Sequence, residues 1–245
     1  MSFGLSRKRD LDTSGVLLDH REFPPLPDDV LTNPISGYLD IAAWFRAPAH
    51  PLEIEIGSGK GSFLLDHAAA NPGVNLLGIE YAGEFCRYAA DRVRRRGLTN
   101  VKMLCVDAVE FVRWRVRSAS VANLHLYFSD PWPKAKHHKN RVVQDRFLTD
   151  AWRVLMPGGE LRIVTDHDEL WAWNEAHFAR ACAGAPDSSG SGVPPVGERP
   201  SACFERLPFT PPTWADEGAT VGTNYERKMC EAVGKQPHAC VLRKC

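Results

Sequence analysis

Between residues 52 and 182 the chain alternates five times between a short apolar run and a stretch of helical periodicity. "LEIEI" is followed by "SFLLDHAAA", and "VNLLGIE" by "CRYAADRVRRRG". "NVKMLCVDA" is followed by "VEFVRWRV", "VANLHLYF" by "VQDRFLTDAWRVLM", and "ELRIVTD" by "DELWAWNEAHFARACAG". Strands alternating with helices of that length predict a parallel sheet covered on both faces. Crossovers in such sheets are right-handed, so a ligand is expected at the carboxyl ends of the strands. "CFERL" and "HACVLRK" add two late strands, with "TNYERKMCEAVG" between them. The expected class is therefore α/β: one domain built on a doubly wound, mostly parallel seven-stranded sheet. Residues 1–35 are polar and carry "REFPPLPDD", which predicts an extended or flexible arm. "YLDIAAWFRA" (38–47) reads as a short helix, the domain runs over 36–245, and 184–201 ("GAPDSSGSGVPPVGERPS") is a loop insertion.

The first strand leads into "EIGSGKG", residues 55–61. Gly57, Gly59 and Gly61 allow the backbone to approach a ligand closely. Their spacing is neither the G-x-G-x-x-G of a dinucleotide site nor a P-loop, because Lys60 is not followed by Ser or Thr. Glu55 precedes the loop, where a carboxylate repels a pyrophosphate and suits a cation. The next strand ends in Glu80, placed to accept from ribose hydroxyls. The third ends at Asp107, placed to accept from an adenine amino group. A cation, a ribose and an adenine together describe S-adenosylmethionine. The set resembles the class I S-adenosylmethionine-dependent methyltransferases, which implies a Rossmann-like fold with Glu55, Gly57, Gly59, Glu80 and Asp107 on the cofactor.

The fourth strand runs into "HLYFSDPWPKAKHHKNRVVQ", residues 125–144. With a cofactor over the first three strands, Asp130 falls at the reaction centre. Pro131 and Pro133 restrict φ and remove two donors. Trp132 offers a flat face for packing or for stacking on a base. From Lys134 to Arg146 the charges are Lys134, Lys136, Lys139, Arg141 and Arg146 against Asp145, a net +4 in a chain whose 30 basic and 30 acidic residues cancel. Beside a reaction centre this run is expected to meet phosphates. Arg92, Arg94, Arg95 and Arg96 form a second cluster, read either as another basic patch or as the cationic end of a helix.

"YFSDPWPKAKHHKNRVV" closely resembles the signature of the tRNA (guanine-N7-)-methyltransferases, and "EIGSGKG", "GIE", "DA", "PGGELRIVTDHDE" and "TNYE" follow the same order. The resemblance covers about residues 50–235. Ser129 and Asn140 depart from the family pattern, as does the pair Ala135-Lys136. The resemblance implies methyl transfer from S-adenosylmethionine to guanine N7 of tRNA, at guanine 46 of the variable loop. It implies that Glu55, Glu80, Asp107 and Asp130 hold the cofactor. Lys134, Asp166 and the segment Thr223, Asn224, Tyr225 and Glu226 then contact the nucleoside. Guanine N7 already has an in-plane lone pair, so no activated base is required. Alignment of the reactants can supply about 7–11 kcal/mol, and Asp130 is expected to stabilise the cationic product electrostatically. His125 reads as a satisfied core residue. His167 adjoins Asp166, which it could orient.

Composition limits the alternatives. The chain has 245 residues, 44% of them hydrophobic, enough for a full core. Its seven cysteines form no C-x-x-C pair, which predicts reduced thiols in the cytoplasm and no metal. No apolar run approaches the roughly 20 residues that cross a bilayer, and the N-terminus has no secretory core. The expected partner is tRNA, with no membrane and no obligate protein partner. Two rivals remain open: a methyltransferase for a protein or small molecule, and a non-enzymatic RNA-binding scaffold on the same fold.

Overall fold

In the computed structural model the described residues are 10–182, 203–234 and 236–245. The loop expected at 184–201 lies outside them, as does the start of the arm. The strands are β1 (Leu17–Leu18), β2 (Leu52–Ile56), β3 (Asn75–Ile79), β4 (Val101–Leu104), β5 (Val121–Tyr127), β6 (Leu155–Thr165), β7 (Phe204–Leu207) and β8 (His238–Lys244). The helices are α1 (Ser62–Ala70), α2 (Gly83–Arg95), α3 (Ala108–Arg115), α4 (Asp145–Val154), α5 (Asp168–Cys182) and α6 (Asn224–Val233). The expected helix at 38–47 is a single 3-10 turn, Ile41–Trp44.

All eight strands form one sheet in the order β1-β4-β3-β2-β5-β6-β8-β7. Pairing is parallel from β1 through β6, and β8 runs antiparallel to both its neighbours. The sheet exceeds the expected seven strands by β1, which comes from the polar arm. Leu17 and Leu18 pair with Met103 and Leu104 along the edge of β4, and the adjoining Val16 is buried. An edge of unpaired backbone groups is a template for any nearby extended chain, and two leucines flanked by turn residues are too short for periodicity to reveal.

The chain reverses direction across the sheet between β2 and β5, which makes a topological switch point at their carboxyl ends. Register aligns the rim there: Ile56 pairs with both Ile79 and Leu126. The loops after β2, β3 and β5 therefore open side by side.

Alternation along the strands divides the core. Ile54, Ile56, Leu77, Ile79, Leu124 and Leu126 pack with side chains of α3, α4 and α5. Leu76 and Met103 pack with α1 and α2 on the other face. Glu53 and Glu55 share the face opposite Ile54, and both are buried. The sheet is covered on both sides, so "LEIEI" has no solvated face to give its glutamates.

Candidate active site

At the end of β2 the backbone enters Gly57, Gly59 and Gly61, with φ of 76°, 52° and 71°. These values strain any side-chain-bearing residue. The Gly57 and Ser58 N–H groups both donate to the Ile79 carbonyl, at 2.8 and 3.1 Å. Glu80 closes the loop from the next strand: its carboxylate accepts from the Gly59 N–H and from the Ala82 N–H, each at 2.8 Å. The sequence placed Glu80 on a ribose; the structure shows it first as the clamp of the glycine loop, with lone pairs to spare. Asp107 is exposed and caps α3 through the Glu110 N–H at 3.1 Å, which leaves its second oxygen open.

Glu55 is only 4% exposed, and its Oε2 has no hydrogen-bond partner. Burial pushes its carboxyl up to about 8; a hydrogen bond from Ser58 opposes this and the charge of Glu80 adds to it. A buried, unpartnered carboxylate oxygen beside a glycine loop is a receptor for a cationic group. The donor set thus fits the ammonium end of S-adenosylmethionine.

The second half of the site stands on β5, β6 and α6. Phe128 follows β5 with φ of 54°, and Trp132 has φ of 44°. Positive φ at two aromatic residues is stored strain, and such positions cluster at functional sites. Asp130 lies exposed between them. The Tyr225 hydroxyl donates to Asp166 Oδ2 at 3.2 Å, and its ring packs on Phe128 at 5.0 Å between centroids. Desolvation, then the charge and hydrogen bond of Asp166, then the charge of Asp130, push the Tyr225 phenol up to about 12. The structure therefore assembles Phe128, Asp130, Asp166 and Tyr225.

The neighbours of Tyr225 act differently from the expectation of direct contact. Thr223 Oγ1 accepts from the Glu226 N–H at 3.1 Å, and the Glu226 carboxylate takes the backbone N–H groups of Thr220, Val221 and Gly222. Thr223 thus caps the start of α6 through its hydroxyl, while Glu226 satisfies the loop before it, and both side chains are buried. Thr223 and Glu226 shape the loop that presents Tyr225. The side chain of Asn224 lies outside the described residues. His167, which adjoins Asp166 in sequence, accepts the Leu170 N–H at the start of α5.

The basic run divides in two. Lys134, Lys136 and Lys139 are exposed. Arg141 is turned inward, 2% exposed, and bonded to protein carbonyls and Glu169. It is not a surface cation, which corrects its place in the phosphate-facing charge. The second cluster also resolves: Arg92 donates to the Lys60 carbonyl, Arg94 pairs with Asp12, Arg95 with Asp91 and Arg96 with Asp66.

Sequence reading missed a buried polar network behind the site. Glu53 Oε2 lies 2.8 Å from both His67 Nε2 and His125 Nε2, and Glu53 Oε1 accepts from Asn123 at 2.8 Å. These three ligand-type side chains are close enough to hold a metal ion, but proton placement opposes it. Trp214 Nε1, a pure donor, points at His67 Nδ1 from 3.2 Å, so that nitrogen holds a lone pair and Nε2 carries the proton. His125 Nδ1 faces the Tyr127 hydroxyl at 2.8 Å, which leaves its Nε2–H for Glu53. A protonated ring nitrogen has no lone pair for a metal. Burial holds His125 below its usual range, so it stays neutral. Desolvation raises Glu53, but the hydrogen bonds from His125 and His67 outweigh it and keep the carboxyl well below the usual range. The available signal was "LEIEI" itself, since a strand covered on both faces must bury both glutamates.

A family model described as "Putative methyltransferase" matches residues 49–185. A tRNA (guanine-N(7)-)-methyltransferase of Halorhodospira halophila is 34% identical over 179 residues, 71% of this chain and 75% of that protein. The enzyme of that name from Nocardia farcinica is 36% identical over 180 residues, 68% and 65% of the two chains. That from Streptococcus suis is 39% identical over 131 residues, 54% and 61%. The chain thus spans slightly under two thirds of the latter two. Among solved structures, the aminoglycoside resistance methyltransferase NpmB1 has a TM-score of 0.49 at 17% identity, covering 90% of this chain and 94% of its own. TrmN from Thermus thermophilus has a TM-score of 0.48 at 16% identity, with coverage of 80% and 45%.

Proposed function

The chain belongs to the tRNA (guanine-N(7)-)-methyltransferase family, and on that premise we propose that it methylates N7 of a guanine in tRNA, at position 46 of the variable loop, with S-adenosylmethionine as donor. The observation that carries this reading is the pairing of two unlike half-sites on one rim. A buried carboxylate lacking a partner, Glu55, stands at the end of β2. The exposed acid of the D-P-W-P loop, Asp130, stands beyond the adjacent β5, next to Tyr225 and Asp166.

Bound S-adenosylmethionine supplies an electrophilic methyl carbon on a sulfonium. The protein's own residues do the rest. Glu55 ionises against the ammonium. Glu80 and Asp107, while bracing the loop and α3, offer their remaining lone pairs to ribose and adenine. Gly57 and Gly59 let the backbone pass close beneath. The Asp166–Tyr225 pair and Asp130 present negative charge where guanine N1–H, its amino group and the developing positive charge of the ring would sit. No side chain needs to remove a proton before attack, because N7 carries a free lone pair. Lys134, with Lys136 and Lys139, meets the phosphates as point charges. Thr223 and Glu226 serve the nucleoside by fixing the segment that carries Asn224 and Tyr225.

Among the described residues no helix is long and apolar enough to cross a membrane. The described cysteines are free thiols, which supports a reducing, cytoplasmic setting, and the proposed activity requires no protein partner. The test is transfer of labelled methyl to tRNA transcripts, with cleavage mapping at 7-methylguanine. Label should enter at position 46, vanish when that guanine is replaced by adenine, and vanish with Asp130→Ala. Unlabelled transcripts, or label on another base, would refute the reading.

A further inference from the structure

Arg141 lies in the run of positive charge after the D-P-W-P turn, yet its guanidinium is inside the molecule. Nε donates to the Pro131 carbonyl at 2.9 Å and Nη2 reaches the Trp132 carbonyl at 3.4 Å. Nη2 also donates to Glu169 Oε1 at 2.6 Å. The guanidinium lies over the Trp173 ring, 5.1 Å from its centroid. The Arg141 backbone is held as well: its N–H donates to the His138 carbonyl, and its carbonyl accepts from Gln144.

Each contact answers a need created by the turn. Pro131 and Pro133 have no N–H, so the turn can contribute few internal hydrogen bonds. Its inward carbonyls require a donor from elsewhere. Trp132 sits at positive φ, a conformation that persists only where surroundings over-determine it. Glu169 is the second residue of α5, three residues after Asp166. One side chain therefore ties the loop that follows Asp130 to the helix that follows Asp166. Both acids that flank Tyr225 depend on the same anchor.

We propose that Arg141 is a positioning residue for methyl transfer, acting through the Pro131 and Trp132 carbonyls and Glu169 to hold Asp130 and Asp166 in register, and that it does not contact tRNA phosphate. The inference rests on the reading of the site as a tRNA methyltransferase. A lysine keeps the charge but lacks the planar fork that serves three acceptors from one position.

Arg141→Lys should lower kcat at saturating tRNA by about ten- to a hundredfold, the loss expected from a misplacement of about 1 Å. Donor affinity should fall much less than kcat, because Glu55, Glu80, Asp107 and the glycine loop are untouched and only Asp130 shifts. The slope of log affinity for tRNA against log salt should equal that of the wild type, whereas Lys134→Ala with Lys136→Ala should flatten it. Arg141→Ala should regain turnover when guanidinium or methylguanidinium is added at millimolar levels, a response that a defect in folding alone would not show. Glu169→Gln, which keeps an acceptor, should lose less than Arg141→Lys. A salt slope reduced by about one phosphate with kcat intact would make Arg141 a phosphate contact and overturn the inference. Hydrogen exchange gives a readout independent of activity: amides of residues 128–140 should exchange faster in Arg141→Lys, and unchanged protection would equally overturn the anchor. A wild-type protein that labels no transcript would sink the methyltransferase reading, while the exchange result still decides whether Arg141 anchors the turn.

Discussion

Two glutamates on β2, two residues apart and both buried, end in opposite states. Glu53 receives donors from His67, His125 and Asn123 and is held ionised. Glu55 keeps an orphan oxygen and is pushed up to about 8. Near pH 7 the free protein therefore holds Glu55 largely as the neutral acid. A cationic cofactor favours its ionised form, so binding should release close to one proton. Calorimetry in two buffers of different ionisation enthalpy reads that proton directly. Glu55→Gln should abolish the release and weaken binding by roughly ten- to a hundredfold, the worth of a hydrogen bond to a charged group. Release undiminished in that variant would place the titrating group elsewhere. The acid at position 55 was legible from its place before the glycine loop. Its missing partner was not, because solvation depends on what α1 and the neighbouring strands cover.

At the level of elements, "TNYE" was read as a patch of contacts and is first a helix start. The Thr223 hydroxyl accepts from the Glu226 N–H as a cap does, and the Glu226 carboxylate gathers the three consecutive backbone donors before Thr223. Gly222, at φ 81°, lets the chain pass Trp214, where an added Cβ would sit 3.1 Å from the indole. Trp214 in turn donates to His67 of α1, so the segment carrying Tyr225 is pinned to the helix that opens at the cofactor loop. Glu226→Ala would leave buried N–H groups without an acceptor. The expected cost is on the order of 3 kcal/mol, a fall in Tm of roughly 6–12 °C in a chain of this size, measured by calorimetry. A shift below about 2 °C would mean that the carboxylate is not structural. The T-x-x-E spacing is a cap signature visible in sequence.

Across the whole molecule, the Glu53 network joins β2, β5, α1 and the Trp214 segment through one carboxylate. Its folded pKa lies below that of the unfolded chain. The stability it contributes is therefore present above the unfolded carboxyl range and is lost as pH falls through that range toward the folded pKa. Thermal melts between about pH 7 and pH 3 should show this loss for the wild type. Glu53→Gln should melt lower at pH 7 and fall less steeply below about pH 5. Parallel curves for the two proteins would remove Glu53 from the acid response. The same scale settles the arginines after residue 90. Arg95 finds Asp91 one turn away on its own helix, but Arg94 and Arg96 reach Asp12 of the arm and Asp66 of α1, contacts that no local pattern contains.

The order of apolar and helical runs, the glycine spacing and the D-P-W-P-K stretch determined the fold class and the positions of Glu55, Glu80, Asp107 and Asp130, because backbone periodicity and turn chemistry are local properties. Tertiary structure alone decided which charges face solvent. Arg141 and Lys139 are both basic residues of one short run, and only the packing of that run on α5 makes one an internal anchor and leaves the other exposed. A charge carries no information about its own solvation; that is set by whichever distant carbonyls and carboxylates the fold brings to meet it.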